Sequence, residues 1–559
     1  ALRPRGSMPG RRRDILHAPL PVFQAFFSQI TGELGGHFLA SLWRVLASLL
    51  LSIALAACGD KSAPGAASAP ASAASGAAPT AAGGNILRIA SSSKDKGTLA
   101  IESDAAYPLL QSGATETLVI VTLDGQALPA LATQWKRTGD TTWEFDLRAG
   151  VQFHDGSSLD ADTVVNALGY IMKAATPPRS LKGTGLVAEA VDADTVKLTT
   201  AKPDPVLPLR LGSPSTAILA KGAYASSPMS PIGFGSGPYV IKQYEPGVGM
   251  TLARFDAYWG GKPQLDGVEL RAIVDAAARF NALKVGEVHV AHAIAPNNIL
   301  EAKQNSALRV DHIELPRAST LYTNFTKPAL KNEKIRQAID LLIDREAIAA
   351  AVLEGTGTPA AGYFGGTPWA PKAAARPADY LEQAKRLVAE SGLQPDALKL
   401  NLMTYTGRPE LAAVANVIKD NLEQGGFAIT LDVVDYNTVL EPKMLAKEHD
   451  LILLSRSFYT DMPDAAGFLA SDFGCEGSYN LNVFCDKAFD ALLQTAAATE
   501  QQAERTAHFA KAAQFLIDHK VGLPVYNDTS RRVFSTRVKD GIHDPLDQRL
   551  VTHTTSLAP

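Results

Sequence analysis

Cysteine is scarce in this chain of 559 residues: it occurs three times, at positions 58, 475 and 485. No CxxC pair and no HExxH occurs, so the usual zinc ligand spacings are missing. No GxxxxGK[ST] loop is present, which leaves nothing of that type to cradle and hydrolyse a nucleotide. Basic runs are absent downstream of residue 57. Residues 1–57 hold six arginines against two acidic residues, a surplus of four, so the whole-chain charge of −4 becomes −8 for the remainder. An acidic body without a basic stripe argues against nucleic acid as a partner. His289 and His292 in "EVHVAH" sit three apart on a predicted strand and so face opposite sides, unable to chelate one ion. Ser236 in "GFGSGPY" follows its glycine out of register for a GxSxG nucleophile elbow and reads as a turn residue. No Ser/His/Asp set or paired carboxylates with a supporting context is found. No metal held by protein side chains and no cofactor is therefore expected.

Apolar runs are also few. "VLASLLLSIALAA", Val45–Ala57, follows Arg44 and has the length of a secretory h-region, short for a membrane span. It leads into Cys58. Gly59–Gly84 is then almost entirely Ala, Ser, Gly and Pro. Such a stretch lacks the apolar bulk that offsets ordering entropy and reads as a flexible tether. Leu55-Ala56-Ala57-Cys58 resembles the lipobox of bacterial lipoproteins, in which the cysteine thiol is lipidated and becomes the mature N-terminus. That resemblance implies an anchor at Cys58, a tether over 58–84, and a signal or over-extended N-terminal region over 1–57, with a true start near Leu39. The alternative is an internal buried cysteine after a core helix.

From residue 85 the chain mixes strands and helices, which indicates an α/β fold of two or three domains. "TTWEFDLRAGVQFHDG" alternates Trp143, Phe145 and Leu147 with charged residues, a half-buried strand. A helix follows, with Asp160 or Asp162 near its start. In "NEKIRQAIDLLIDREAIAAAVLEG" Asn332 and Asp344 are plausible N-caps. Residues 398–461 read as strand, helix, strand, helix, strand. "RPELAAVANVIKDNLEQGG" is the first of those helices, with Pro409 in its first turn and Gly425-Gly426 at its end. A βαβαβ run implies three parallel strands, and ligands collect beyond the carboxyl ends of such strands. Arg408 follows the first strand and Asp461 the third. Together they offer a guanidinium fork for a carboxylate and a carboxylate for an amine, a layout suited to a zwitterion. Two solvated loop charges are the alternative.

Three long blocks then carry a resemblance: "LPALATQWKRTGDTTWEFDLRAGVQFHDGSSLDADTVVNAL" (Leu128–Leu168), "GSGPYVIKQYEPGVGMTLARFDAYWGGKPQLDGVELRAIVDAAARFNALKVGEV" (Gly235–Val288) and "NEKIRQAIDLLIDREAIAAAV" (Asn332–Val352). Together they resemble family 5 of the extracellular solute-binding proteins, the peptide/nickel class. The resemblance implies a two-lobed periplasmic-binding-protein fold with an extended first lobe: lobe I over 85–321 plus 525–559, lobe II over 322–524. It implies a monomeric receptor, not an enzyme, on the periplasmic side of the cell envelope. Such a receptor captures a solute between its lobes and delivers it to an ABC permease and ATPase complex. A secreted hydrolase on a two-lobed frame is the remote alternative.

The ligand stays open between a short peptide and a nickel chelate or amino-carboxylate metallophore. "YTDMPDA" matches in register the stretch whose aspartate pairs with a peptide amine, which makes Asp461 the equivalent. "TYTGRPEL" is similar to the branch that takes chelates, with Arg408 as a carboxylate clamp. Arg210 in "LPLRLGSPSTAIL" lies near the first-lobe arginine of nickel-binding members but out of register. Further pocket candidates come from position: Tyr363 and Trp369 in "GYFGGTPWAP", Phe458 and Tyr459 beside Asp461, and Tyr479 and Asn480 between Cys475 and Cys485. An even cysteine pair in an exported chain is a disulfide candidate; two free thiols are the alternative.

Overall fold

A computed structural model of the chain describes residues 84–559, apart from 93–96, 176, 312, 368, 371–374, 460–461 and 542–543. Cys58 and the lipobox therefore lie outside the described residues. Residues 81–559 form one compact unit.

The strand Ile86–Ser91 buries Leu87, Ile89 and Ala90 and lies in the middle of a seven-stranded sheet. It pairs in parallel with Gly267–Ala272 on one side and Val290–Ala291 on the other. Arg532–Ser535, from near the C-terminus, joins the same sheet between Val290–Ala291 and Leu308–Asp311. Both ends of the chain thus build one lobe. Beside this sheet is a four-stranded antiparallel one containing Thr142–Leu147, in which Phe145 and Leu147 are buried and Trp143 half-buried. The following helix, Ala161–Lys173, is capped by Asp160, whose carboxylate accepts from the Thr163 N–H at 2.7 Å.

The second lobe is built on a six-stranded sheet. Its elements in chain order are β1 (Glu314–Thr323), β2 (Gly357–Pro359), β3 (Lys399–Tyr405), α1 (Pro409–Gln424), β4 (Ala428–Val434), β5 (Leu451–Ser457), α2 (Ala465–Phe473) and β6 (Leu523–Thr529). The strands lie in the order β2-β6-β1-β5-β3-β4. β3 pairs in parallel with β4 and β5, as the βαβαβ reading requires. Between β4 and β5 one wide turn, Tyr436–Leu440, runs into a short helix, Glu441–Leu445, with Pro442 in its first turn.

Alternation along the strands gives the sheet two different faces. Leu321, Leu402, Leu451 and Leu453 pack against Leu411, Val414 and Ile418 of α1. Tyr322, Met403, Ile452 and Leu454 pack on the other side among Phe468, Leu469 and Phe473 of α2.

The chain leaves the seven-stranded sheet after Asp311 and enters the six-stranded sheet at Glu314. It leaves that sheet after Thr529 and re-enters the first at Arg532. Divisions at 321/322 and 524/525 fall inside β1 and β6. The sheet changes at the short breaks between strands, because a strand whose ladder is formed cannot belong to two lobes. No helix among the described residues is long and apolar enough to cross a membrane.

Candidate functional site

β5 and β6 both run antiparallel to β1, so β3, β4, β5 and β6 end at one edge of the sheet. Arg408 stands at this edge as the residue preceding α1. Its Nη1 donates to Asp528 Oδ2 at 3.1 Å and to Ser455 Oγ at 3.1 Å, and lies 3.5 Å from Glu410 Oε1. The Ser455 hydroxyl in turn donates to Asp528, and Arg531 donates to Glu410. Burial by itself would weaken the charge on Arg408. The Asp528 and Glu410 carboxylates, with Tyr405 and Tyr526 nearby, outweigh it and hold the guanidinium above its ordinary pKa. Glu410, in the first turn of α1, is favourably placed for the helix dipole.

Arg317 of β1 reaches the same serine from the other side, its Nη1 donating to the Ser455 carbonyl at 3.4 Å. Its pKa is lowered by burial and by the neighbouring Arg408. Tyr405 is pushed up to about 12, mainly by burial. Three guanidinium groups thus meet two carboxylates at the strand ends: Arg317, Arg408 and Arg531 against Glu410 and Asp528.

The other residues expected at the site are arranged differently. Asp461 lies outside the described residues. Phe458 and Tyr459 are buried and interlock with Phe364, at ring separations of 4.8 and 6.2 Å. Trp369, half-buried, tilts against Phe364 at 4.5 Å. Tyr363 is fully buried and its hydroxyl donates to the Val521 carbonyl at 3.1 Å. Cys475 and Cys485 are joined by a disulfide. Inside their loop the Asn480 amide donates to the Gly474 and Phe484 carbonyls, and its oxygen accepts from the Phe484 N–H. The Tyr479 ring covers the Arg456 guanidinium at 4.1 Å. These six side chains therefore belong to the aromatic side of the sheet, whereas Arg408 belongs to the charged cluster. His289, considered for a metal, accepts the Arg88 backbone N–H on Nδ1 at 3.0 Å.

The profile of "Bacterial extracellular solute-binding proteins, family 5 Middle" matches residues 126–480. The chain belongs to this family. Among family 5 relatives, the "Nickel-binding protein NikA" of Staphylococcus aureus (strain NCTC 8325 / PS 47) is 29% identical over 354 residues, covering 63% of this chain and 70% of the relative. The "Probable di/tripeptide-binding protein 5" of Pseudomonas aeruginosa (strain UCBPP-PA14) is 26% identical over 444 residues, covering 73% of this chain and 82% of the relative. The crystal structure of Staphylococcus aureus NikA with Ni(L-His)2 superposes with a TM-score of 0.76 at 24% identity, over 85% of this chain and 100% of that one. The two-lobed periplasmic-binding fold follows from that likeness.

Within this family 5 chain, sequence reading missed Arg317, Glu410, Ser455, Asp528 and Arg531. One signal was available. Asn527 to Arg532 are six consecutive polar residues, and all six are buried. A polar run that returns through a buried strand needs partners, and its partners mark a site.

Proposed function

We propose that this chain is the solute receptor of an ABC importer. It takes a small zwitterionic solute, such as a short peptide, between its lobes and passes it to a membrane permease driven by its ATPase. The observation that carries this reading is the cluster at the strand ends of the second lobe. There Arg317, Arg408 and Arg531 lie among Glu410 and Asp528 beside the two strand-to-strand crossings, and guanidinium donors left without partners among the described residues are available to a ligand carboxylate. Asp461 would supply the opposite pole for the ligand amine. Closure on the solute is a population shift between open and closed lobes. The protein would act as a monomer on the periplasmic side, held by lipid on Cys58. Changing Cys58 to Ser should then release it from membranes with affinity unchanged, and a variant that stays membrane-bound would remove the anchor.

Native mass spectrometry of protein purified from its own host tests the class of solute directly. A retained peptide mass is expected. Asp461→Asn should weaken peptides with a free amine far more than N-acetylated ones, and equal losses would contradict the amine role. Cleavage of a supplied peptide mixture would instead favour the hydrolase.

The second reading, a nickel chelate or amino-carboxylate metallophore, is favoured by the similarity to the Staphylococcus aureus nickel-binding protein. Among the described residues no group of three His, Cys, Asp or Glu side chains could hold a metal directly. On this reading the ion would enter inside its small-molecule ligand, whose carboxylates the same cluster would meet. Nickel retained at one equivalent would decide for it.

A further inference from the structure

Four buried arginines elsewhere in the chain each hold several acceptors, although Arg532 leaves Nε and Nη1 without partners among the described residues. Arg279 donates to the carbonyls of Ile273, Val274, His292 and Ala293. Arg336 donates to those of Leu330, Lys331, His519 and Lys520. Arg505 grips both oxygens of Asp464 and the carbonyls of Ala496 and Ala497. Arg456 grips both oxygens of Asp472. Arg317 differs. Among the described residues it makes one hydrogen bond, the long contact to the Ser455 carbonyl. The rest of its five-donor fork has no acceptor among the described residues, although the residue is half-buried.

The carboxylates beside it are engaged by other groups, Asp528 Oδ2 by Arg408 and the Ser455 hydroxyl and Glu410 Oε1 by Arg531, while Asp528 Oδ1 is buried without a hydrogen-bond partner among the described residues. Arg531, 4% exposed, still has Nε and Nη1 without partners among the described residues. Desolvated donors without acceptors, as in Arg531, are costly, and the open planar fork of Arg317 is matched by a carboxylate.

We propose that Arg317 is the residue that meets the solute's carboxylate directly, while Arg408, pinned by Asp528 and Ser455, shapes the floor beneath it. This rests on the reading above that the solute is carboxylated, and it assigns the direct contact to β1, the strand on which the chain enters the second lobe. The anion would therefore be gripped at the crossing between lobes.

The test uses the full chain as wild type, Arg317→Gln and Arg317→Lys. The probes are a defined pool of dipeptides, the same pool C-terminally amidated, and sodium acetate against sodium chloride at equal ionic strength. Calorimetric titration of wild type should favour the free-acid pool by at least about 30-fold. Arg317→Gln should bind both pools equally weakly, and Arg317→Lys should recover part of the preference. A free-acid preference that survives in Arg317→Gln overturns the assignment. Equal binding of both pools by wild type overturns the carboxylate contact and leaves the peptide reading standing. If wild type binds neither pool, the peptide reading fails, and thermal stability decides. Stabilisation by acetate over chloride that disappears in Arg317→Gln upholds Arg317 as an anion site, and equal behaviour of the two proteins overturns it. Should Arg317→Gln not fold, the same criteria apply to Arg317→Lys, whose unchanged preference counts against the proposal.

Discussion

Ser455 and Arg456 adjoin in β5 and point to opposite faces of one sheet, and the charges they meet are organised in opposite ways. On the aromatic face, Arg456 and Asp472 form a two-point ion pair roofed by Tyr479, with the carboxylate fully buried. Both carboxylate oxygens of Asp472 have their match in Arg456. On the other face, Ser455 sits between Arg317, Arg408 and Asp528, where guanidinium donors outnumber their acceptors. A closed pair fixes the fold. An open set, built at the edge where β3, β4, β5 and β6 end, has capacity for a charge from a ligand. Burial alone does not separate a structural arginine from a binding one; the tally of partners does.

The largest effect is expected on the closed side. Asp472→Asn leaves Arg456 buried without a counter-charge and should lower unfolding free energy by about 3–5 kcal/mol, read from urea denaturation. A loss below about 1 kcal/mol would erase the distinction between the two faces. On the open side, Arg408→Ala should act on binding, weakening an anionic solute by about 2–5 kcal/mol in calorimetry, since Asp528 is then left unpaired beside it. Unchanged affinity would remove Arg408 from the site.

The disulfide sharpens the same contrast. Cys475 and Cys485 are 10 residues apart and close the loop that holds Tyr479 over Arg456. Replacing both by serine should cost about 2–3 kcal/mol of stability, the entropy of opening a short loop. A loss in solute affinity exceeding the loss in stability would show that the aromatic side also touches ligand.

The smallest effect concerns Glu116, a carboxylate that accepts from Ser236, Tyr258 and Trp259, all neutral donors. Burial pushes its pKa up to about 7 from 4.5. The folded form therefore holds the proton more tightly than the unfolded form, and this contribution to stability is full below about pH 4.5 and lost as the pH rises through 7. Glu116→Gln should flatten that fall by on the order of 1–3 kcal/mol in thermal denaturation followed from pH 4.5 to 8. An identical pH profile in the two proteins would contradict the shift.

Much of the second lobe was legible before any coordinates. The βαβαβ run could be read because Pro409, Gly425-Gly426 and the apolar strands are local signals, and β3, β4 and β5 are indeed parallel. Arg408 could be placed at a strand end by the same logic. Its partners could not, because Asp528 is 120 residues away and Ser455 is 47. Nor did residue type show that Phe458, Tyr459 and Trp369 all pack on Phe364 while Tyr363 packs on Phe468 and Phe473. An aromatic residue in a loop is equally suited to a core or to a ligand.

The amino-acid order by itself determined the α/β class, the family and the βαβαβ unit, since each depends on periodicity, turn chemistry or contiguous blocks of sequence. Only the tertiary structure decided where the chain passes between sheets, and which arginines are saturated and which left with donors to spare. Those outcomes depend on which distant side chains the strand pairings bring within hydrogen-bond reach, and no local pattern encodes that distance.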